Sequence, residues 1–154
     1  MPARACVDAS LAVRWLIPEE YSDESLDLLD VWTESHTELI APTHLLYEVT
    51  ATLRFLVYRK VISEEIGDGA FQRLPKLPIH LSSRAAMFSL AWRLAAEFNL
   101  PSTYDVTYLA LARLERCELW TADRKFFKAV KGMTPDVRWI GHHKPAGSTR
   151  SRQG

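Results

Sequence analysis

The amino-acid sequence predicts an α/β fold: a three-layer sandwich in which helices flank a mostly parallel central sheet of about five strands. Five short apolar runs have the length of buried strands, and amphipathic segments separate them along the chain. This alternation is typical of a parallel sheet with both faces covered by helices. With 154 residues, 47% of them hydrophobic and 25% charged, the chain has the size and composition of one compact core.

The first quarter of the chain predicts a strand, two helices and a second strand. Residues 4–8 begin with Arg4 and end with Asp8, and the short apolar run between them has too few residues for a helix, so it indicates a buried strand. Ser10 is expected to cap a short helix over 11–16. A second helix is expected over 22–32, and the apolar run 39–41 predicts the second strand.

The middle of the chain predicts three helices around a third strand. Residues 43–60 repeat apolar side chains near the helical period, which indicates a long helix. A further helix begins at Ser63, although Gly67 weakens it. The third strand is expected at 79–81 and an amphipathic helix over 84–98.

The last third repeats the alternation. A helix over 103–117, a strand at 118–121, a short helix over 124–130 and a strand at 137–140 complete the predicted domain, which spans 1–141. The polar residues 142–154 are expected to form a disordered tail.

Composition excludes several classes of protein. Two cysteines, Cys6 and Cys117, favour free thiols in a reducing compartment over a disulfide scaffold. No run approaches the ~18 apolar residues of a membrane span, and an acidic residue interrupts the start of the chain before a secretory signal can develop. We therefore expect a cytoplasmic protein. The 19 basic and 19 acidic residues cancel, so bulk charge makes no case for nucleic-acid binding.

Four acidic residues stand in apolar surroundings: Asp8, Glu48, Asp105 and Asp123. Each follows a predicted strand or lies in an early turn of a predicted helix, positions that meet at the carboxyl edge of a parallel sheet. Four carboxylates at one edge repel one another unless a cation balances them. Because Mg²⁺ and Mn²⁺ prefer oxygen ligands, the pattern predicts a site for one of these ions.

Each acid also has a purely structural interpretation. Asp105 and Asp123 suit the amino termini of helices, where a negative charge contributes ~0.5 kcal/mol. Asp8 suits a turn, and Glu48 suits the flank of a helix. The sequence leaves these interpretations open for each residue alone, but four such coincidences at one edge are less probable than a shared site.

Four segments resemble, in this order, PIN-domain ribonucleases of the VapC toxin type. They are Val7-Asp8-Ala9-Ser10, Tyr47-Glu48-Val49, Thr103 to Ala112 and Leu119 to Phe126. The resemblance covers residues 4–140. It implies a metal-dependent endoribonuclease that uses Mg²⁺ or Mn²⁺, forms a homodimer and assembles with a small antitoxin into a heterotetramer or larger complex.

Carried onto this chain, the resemblance gives the metal-binding and catalytic positions to Asp8, Glu48, Asp105 and Asp123, and supporting polar positions to Ser10 and Thr121. Some PIN nucleases carry another acid shortly after the fourth one, whereas Arg124 and Lys125 stand there in this chain. This departure puts a second tightly held metal ion in doubt.

Substrate contacts are predicted from the charges near these acids. Arg124, Lys125 and Lys128 follow Asp123 and are candidates for phosphate binding, although a solvated helix face explains them equally simply. Tyr104 is a candidate for stacking on an RNA base. Tyr108 has the same potential but fits the core better. Tail residues Lys144, Arg150 and Arg152 are candidates for nonspecific phosphate attraction.

Two other function classes compete with the nuclease. A phosphatase of another doubly wound fold also places an aspartate after its first strand, but it usually has a second aspartate where Ser10 stands here. A PIN-fold module that binds RNA or a partner without turnover is the other alternative. Among Trp32, Phe55 and Tyr58, candidates for an association surface, core packing is expected for at least two. Neither the histidines nor the cysteines have zinc-site spacing.

Overall fold

The computed structural model of the chain describes residues 2–147, and five parallel strands form its centre. The strands are β1 (Arg4–Val7), β2 (Glu38–Pro42), β3 (Ile79–Ser82), β4 (Glu118–Thr121) and β5 (Val137–Trp139). All five lie where the sequence predicted strands. The predicted α/β class with a five-stranded parallel sheet is therefore confirmed, together with its seven helices.

The seven α-helices connect these strands. They are α1 (Ala9–Leu16), α2 (Ser22–Glu34), α3 (Leu45–Tyr58), α4 (Glu64–Arg73), α5 (Ala86–Glu97), α6 (Tyr104–Leu114) and α7 (Arg124–Val130). Short 3₁₀ turns follow α4 at Leu74–Lys76 and β5 at Ile140–His142. Among residues 2–147, no helix is both long enough and apolar enough to cross a bilayer.

In the strand order β3-β2-β1-β4-β5, the order in which the chain adds strands reverses at the centre of the sheet, between β1 and β4. After β1 the chain adds β2 and then β3 on one side. It then adds β4 and β5 on the other side of β1. In sheets of this kind the crevice for ligands opens at the carboxyl ends of the strands flanking the reversal. Here Val7, the last residue of β1, is paired in register with Trp120, the residue before the last one of β4.

The core surrounds the sheet on both sides. Three consecutive residues of β1, Ala5 to Val7, are all buried, and so are Leu39 to Ala41 of β2. Because neighbouring side chains of a strand point to opposite faces, this pattern requires cover on both faces. Helix α6 packs against β1, β2 and β4, and α1 packs against α3 and β4. Helices therefore cover both faces of the central strands.

Some predicted local details are wrong. The cap of α1 is Asp8, whose carboxylate accepts a hydrogen bond from the Leu11 backbone, and Ser10 lies inside the helix. Of the three aromatic residues expected mainly in the core, only Trp32 is buried, because Phe55 and Tyr58 point outward from α3 with exposures of 58% and 73%. Gly67 does not merely weaken α4, since an added Cβ there would lie 2.5 Å from the Val57 side chain of α3.

Part of the predicted tail packs on the domain. His143 Nε2 lies 2.6 Å from Asp27 Oδ2 on α2, and the Ala146 N–H donates to Asp27 Oδ1 at 3.2 Å. The bond from His143 lowers the pKa of Asp27. Residues 142–147 therefore continue from β5 onto α2 as a structured strap. The remaining tail residues, including Arg150 and Arg152, lie outside the described part of the chain.

Candidate active site

Asp8 is placed by the end of β1 and the start of α1. Its side chain is buried, with 6% exposure, and it is held by three donors. Oδ1 accepts from the Ser10 hydroxyl at 2.6 Å and from the Leu11 N–H at 3.0 Å, and Oδ2 accepts from the Thr121 hydroxyl at 2.5 Å. Burial raises the pKa of Asp8 to about 6, although these hydrogen bonds favour the carboxylate.

Ser10 and Thr121 join the ends of β1 and β4. The Ser10 hydroxyl oxygen accepts from the Ala122 N–H at 2.9 Å, and the Thr121 hydroxyl oxygen accepts from the Asp123 N–H at 2.9 Å. Each hydroxyl also donates to Asp8. The two side chains predicted to support the site therefore connect Asp8 with the backbone N–H groups of Ala122 and Asp123.

Asp123 and Asp105 reach the site from the starts of two helices. The Asp123 carboxylate caps α7 by accepting from the Phe126 N–H at 3.0 Å. Asp105, in the first turn of α6, keeps part of its surface exposed. Its pKa is raised by burial and then by the negative charges of Asp123 and Glu48. The helix-terminal interpretation thus applies to Asp123, but it does not account for the grouping of the acids.

Glu48 projects from the first turn of α3 towards α6. Its Oε1 accepts from the Tyr108 hydroxyl at 3.1 Å, and His44 Nε2 lies 2.9 Å from the same oxygen. The rings of His44 and Tyr108 are 4.7 Å apart. The charge of Glu48 raises the pKa of Tyr108 in addition to the effect of burial, so the phenol stays a hydrogen-bond donor.

The four predicted acids line one cavity of about 210 Å³ at the carboxyl edge of the sheet. Ser10, Arg14 and Tyr108 line it with them. In the described part of the chain, no arginine or lysine pairs with Asp8, Asp105 or Asp123. Arg14 is engaged with Glu19, at 3.5 Å. The cavity therefore concentrates negative charge that the surrounding basic side chains leave uncompensated.

This donor set fits an oxygen-preferring divalent cation that keeps part of its water shell. Within residues 2–147, no three acidic, histidine or cysteine side chains converge closely enough to hold a bare ion. Mg²⁺ in proteins usually retains several waters and takes only one or two carboxylates directly. Asp8, Glu48, Asp105 and Asp123 all line the cavity, so one or two of them would bind the ion directly while water fills its other positions.

The remaining predicted residues are distributed around this cavity. Arg124 lines a neighbouring cavity together with Asp123. Lys125 and Lys128 are exposed on α7 and line neither of the two cavities. Tyr104 is 68% exposed, and its ring lies 6.4 Å from that of His44. The structure therefore brings Arg124 next to the acids and leaves both lysines outside.

Comparison with known proteins agrees with this arrangement. A family model described as PIN domain matches residues 5–132, a segment that includes all four acids. The chain belongs to the PIN domain family. PIN domains are generally metal-dependent nucleases, so membership of the family suggests nuclease activity in general terms.

The fold of this PIN domain is similar to a solved structure, described as the crystal structure of PAE2754 from Pyrobaculum aerophilum. The TM-score is 0.64 at 16% sequence identity, over 92% of this chain and 93% of that chain. A likeness at this identity concerns the fold alone. No curated protein matches the chain significantly.

Sequence reasoning missed the contact of two residues with Glu48. His44 was not singled out, and Tyr108 was assigned mainly to the core. His44 stands four residues before Glu48, the spacing that brings side chains together on one face of a helix. That spacing was a usable signal, whereas the contact from Tyr108 on α6 depends on the packing of two separate helices.

Proposed function

We propose that this PIN domain is an endoribonuclease that hydrolyses phosphodiester bonds in RNA with Mg²⁺ or Mn²⁺. The observation that carries the proposal is the group of four carboxylates in one cavity, without arginine or lysine partners for Asp8, Asp105 and Asp123 among the described residues. A divalent cation supplies the missing positive charge and, when bound, activates water and stabilises the charge on phosphate.

The residues of the chain have distinct parts in this reaction. Asp8 is the central ligand, oriented by Ser10 and Thr121. Asp105 and Asp123 complete the acidic side of the cavity. Glu48, held through Oε1 by Tyr108, keeps its other carboxylate oxygen for the cation or for the attacking water. In this hydrolysis the oxygen of the attacking water bonds to phosphorus, the bond from phosphorus to the 3′-oxygen breaks, and the proton that the water loses completes the new 3′-hydroxyl.

Cleavage of a mixed pool of transfer and ribosomal RNA tests the proposal. The purified protein is incubated with Mg²⁺, Mn²⁺ or EDTA, beside an Asp105→Asn variant. A Glu115→Gln variant is the matched control, because it makes the same acid-to-amide change away from the cavity. We expect cuts that require metal, vanish in Asp105→Asn and persist in Glu115→Gln.

Three other results would replace the proposal. RNA binding without cleavage in any metal would make the chain a binding module. Cleavage that survives Asp105→Asn would point to a contaminating nuclease. Hydrolysis of a phosphomonoester in place of RNA would favour the phosphatase alternative.

We further propose that the nuclease is the VapC-type toxin of a toxin–antitoxin pair and acts in the cytoplasm on looped RNA, with a homodimer as its basic unit. An apolar groove of about 400 Å³ supports the proposal of a protein partner. It lies among α3, the 3₁₀ turn that follows α4, and β3. Its lining includes Leu45, Leu46, Leu77 and Leu81. Exposed apolar grooves of this kind are typical of protein contacts.

Two measurements test the toxin and dimer proposals. Induction of the chain in a bacterial host is expected to arrest growth, whereas induction of the Asp105→Asn variant is not. Light scattering is expected to give a mass twice the 17.6 kDa of one chain. Normal growth with active nuclease would remove the toxin role, and a single-chain mass would remove the homodimer.

A further inference from the structure

A second cavity adjoins the acidic one and shares its wall. It has a volume of about 370 Å³, within the range of small-molecule sites, and Ser10, Arg14 and Asp123 line both cavities. The second cavity is completed by Tyr21 and Arg124, together with Glu20 and Ala122. A ligand that crosses the shared wall therefore has one part at the carboxylates and another between an aromatic ring and a guanidinium.

Arg124 is the cationic group in this cavity that remains available. Its guanidinium carbon lies 5.2 Å from the centre of the Trp139 ring, and none of the other residues from 2 to 147 accepts a hydrogen bond from it. A guanidinium stacked on an aromatic face keeps its N–H edges for a planar anion such as phosphate. Arg14, by contrast, donates to the Ser10 and Glu20 carbonyls at 2.7 and 2.8 Å.

Tyr21 is held in place by an unusual backbone and by the same tryptophan. Its φ of 67° lies in the left-handed region, which is uncommon for a residue with a side chain and is often found at functional sites. Its ring meets Trp139 edge to face at 5.3 Å. Arg14 donates a hydrogen bond to the carbonyl of Glu20, the residue before Tyr21, and this bond holds the backbone that leads into Tyr21. The ring is thus preorganised beside Arg124.

We propose that this cavity is a nucleotide subsite for single-stranded RNA. It holds the nucleotide next to the scissile phosphate, with the base against Tyr21 and its phosphate on Arg124. Trp139 and Arg14 are positioning residues for this pair. The proposal rests on the proposed ribonuclease function, since it adds the position of the neighbouring nucleotide to the carboxylate site. Aromatic rings and arginines are the usual platforms for unstacked RNA bases and their phosphates.

Binding of a fluorescein-labelled, random-sequence ten-nucleotide RNA, followed by anisotropy, tests the subsite. The titration is run in EDTA, where metal-dependent cleavage is absent, and repeated with Mg²⁺ in an Asp8→Asn background. Tyr21→Ala is expected to weaken binding roughly 5- to 100-fold, the range for loss of one base-stacking ring. Tyr21→Phe keeps the ring and is expected to stay within about twofold of the parent.

The charge of Arg124 is tested by Arg124→Ala against Arg138→Ala. Arg138→Ala makes the same change in net charge as Arg124→Ala. It makes that change away from the cavity, since Arg138 pairs with Glu118 on the sheet. We expect Arg124→Ala to weaken binding and to reduce the salt slope by about one, with little change for Arg138→Ala.

Equal binding by Tyr21→Ala and the parent, equal losses for the two arginine variants, or no binding by the parent in either condition would overturn the subsite. Melting curves of Tyr21→Ala and Tyr21→Phe identify a loss due to unfolding, in which case the Arg124 comparison decides. A chain that binds through Tyr21 and Arg124 but never cleaves would support the subsite and remove the ribonuclease function.

Discussion

Both edges of the sheet carry acidic residues, but the surroundings of Glu38 at one edge and of Asp8 at the other shift their pKa values in opposite directions. At the amino edge, Arg4 contacts both Glu38, at 2.6 Å, and Glu115, at 2.7 Å, and Arg138 contacts Glu118 at 2.8 Å. The bond from Arg4 lowers the pKa of Glu38. At the carboxyl edge, burial raises the pKa of both Asp8 and Asp105.

This difference separates carboxylates that are neutralised within the protein from those that, under the proposed function, bind a cation. Ion pairs at the amino edge are satisfied within the protein, so they need nothing from solution. The acids at the carboxyl edge cost stability when they ionise together, and a charged group without a partner is rarely kept near the core. A cation from solution makes the two edges electrostatically alike, and the predictions below test that account.

The largest expected effect is the loss of RNA cleavage in Asp8→Asn. We expect a decrease of at least about 1,000-fold, the upper end for removal of one electrostatic group from a catalytic site. Initial rates on the same RNA pool, with Mg²⁺ at a fixed concentration, measure it. Glu115→Gln is expected to cleave within a factor of about two of the parent. Similar losses in both variants would mean that the two edges do not differ in function.

The next effect is a pH dependence of stability in EDTA. The folded protein binds the Asp8 proton more tightly than the unfolded chain does, because the pKa rises from 3.8 to about 6. The free energy of unfolding is therefore expected to fall by roughly 2 kcal/mol between pH 4 and pH 6 on account of this group, and by less than about 0.5 kcal/mol above pH 6.

Urea unfolding of the parent and of Asp8→Asn isolates this contribution. The variant is expected to gain stability relative to the parent as the pH rises from 4 to 7. A difference between the two proteins that is the same at both pH values would show that Asp8 does not carry the penalty. Glu38, whose pKa is lowered, acts in the opposite direction in both proteins and cancels in the comparison.

A smaller effect is expected from the metal itself. Mg²⁺ or Mn²⁺ at ten times its dissociation constant stabilises a single site by about 1.4 kcal/mol, which is roughly 3–6 °C in melting temperature. Differential scanning fluorimetry is expected to show this rise in the parent and in Glu115→Gln. The rise is expected to disappear in Asp8→Asn and to shrink in Asp105→Asn. An equal rise in all four proteins would place the bound cation elsewhere.

The smallest effect is expected at the amino edge. Glu115→Gln removes a carboxylate that contacts both Arg4 and Arg84. Surface ion pairs contribute up to about 1 kcal/mol, so the melting temperature is expected to fall by no more than 2–4 °C. Addition of 0.5 M salt is expected to reduce this difference further by screening. A larger loss that salt leaves unchanged would indicate that Glu115 stabilises the fold through packing and not through its charge.

The sequence predicted the elements well because their signals are local. The apolar runs of β1 and β2 are buried on both faces, as short strands with covered faces require. The predicted start of α4 at Ser63 agrees with the structure, where Ser63 caps the helix by accepting from the Ile66 N–H. The cap of α1 was misassigned because Asp8 and Ser10 are both good caps, and only the position of β4 decides between them. Ser10 and Thr121 instead form the hydrogen bonds that join the ends of β1 and β4.

The sequence by itself determined the strands, the helices and the four acids that follow them, since hydrophobic period and helix-start signals act within a few residues. Only the tertiary structure decided that Asp8 is buried while Asp105 keeps an exposed side, that Tyr108 and His44 meet at Glu48, and that Tyr21 stands beside Arg124. These relations join residues up to about a hundred positions apart. Their distances come from how helices pack on the sheet, and packing has no signature in any one segment.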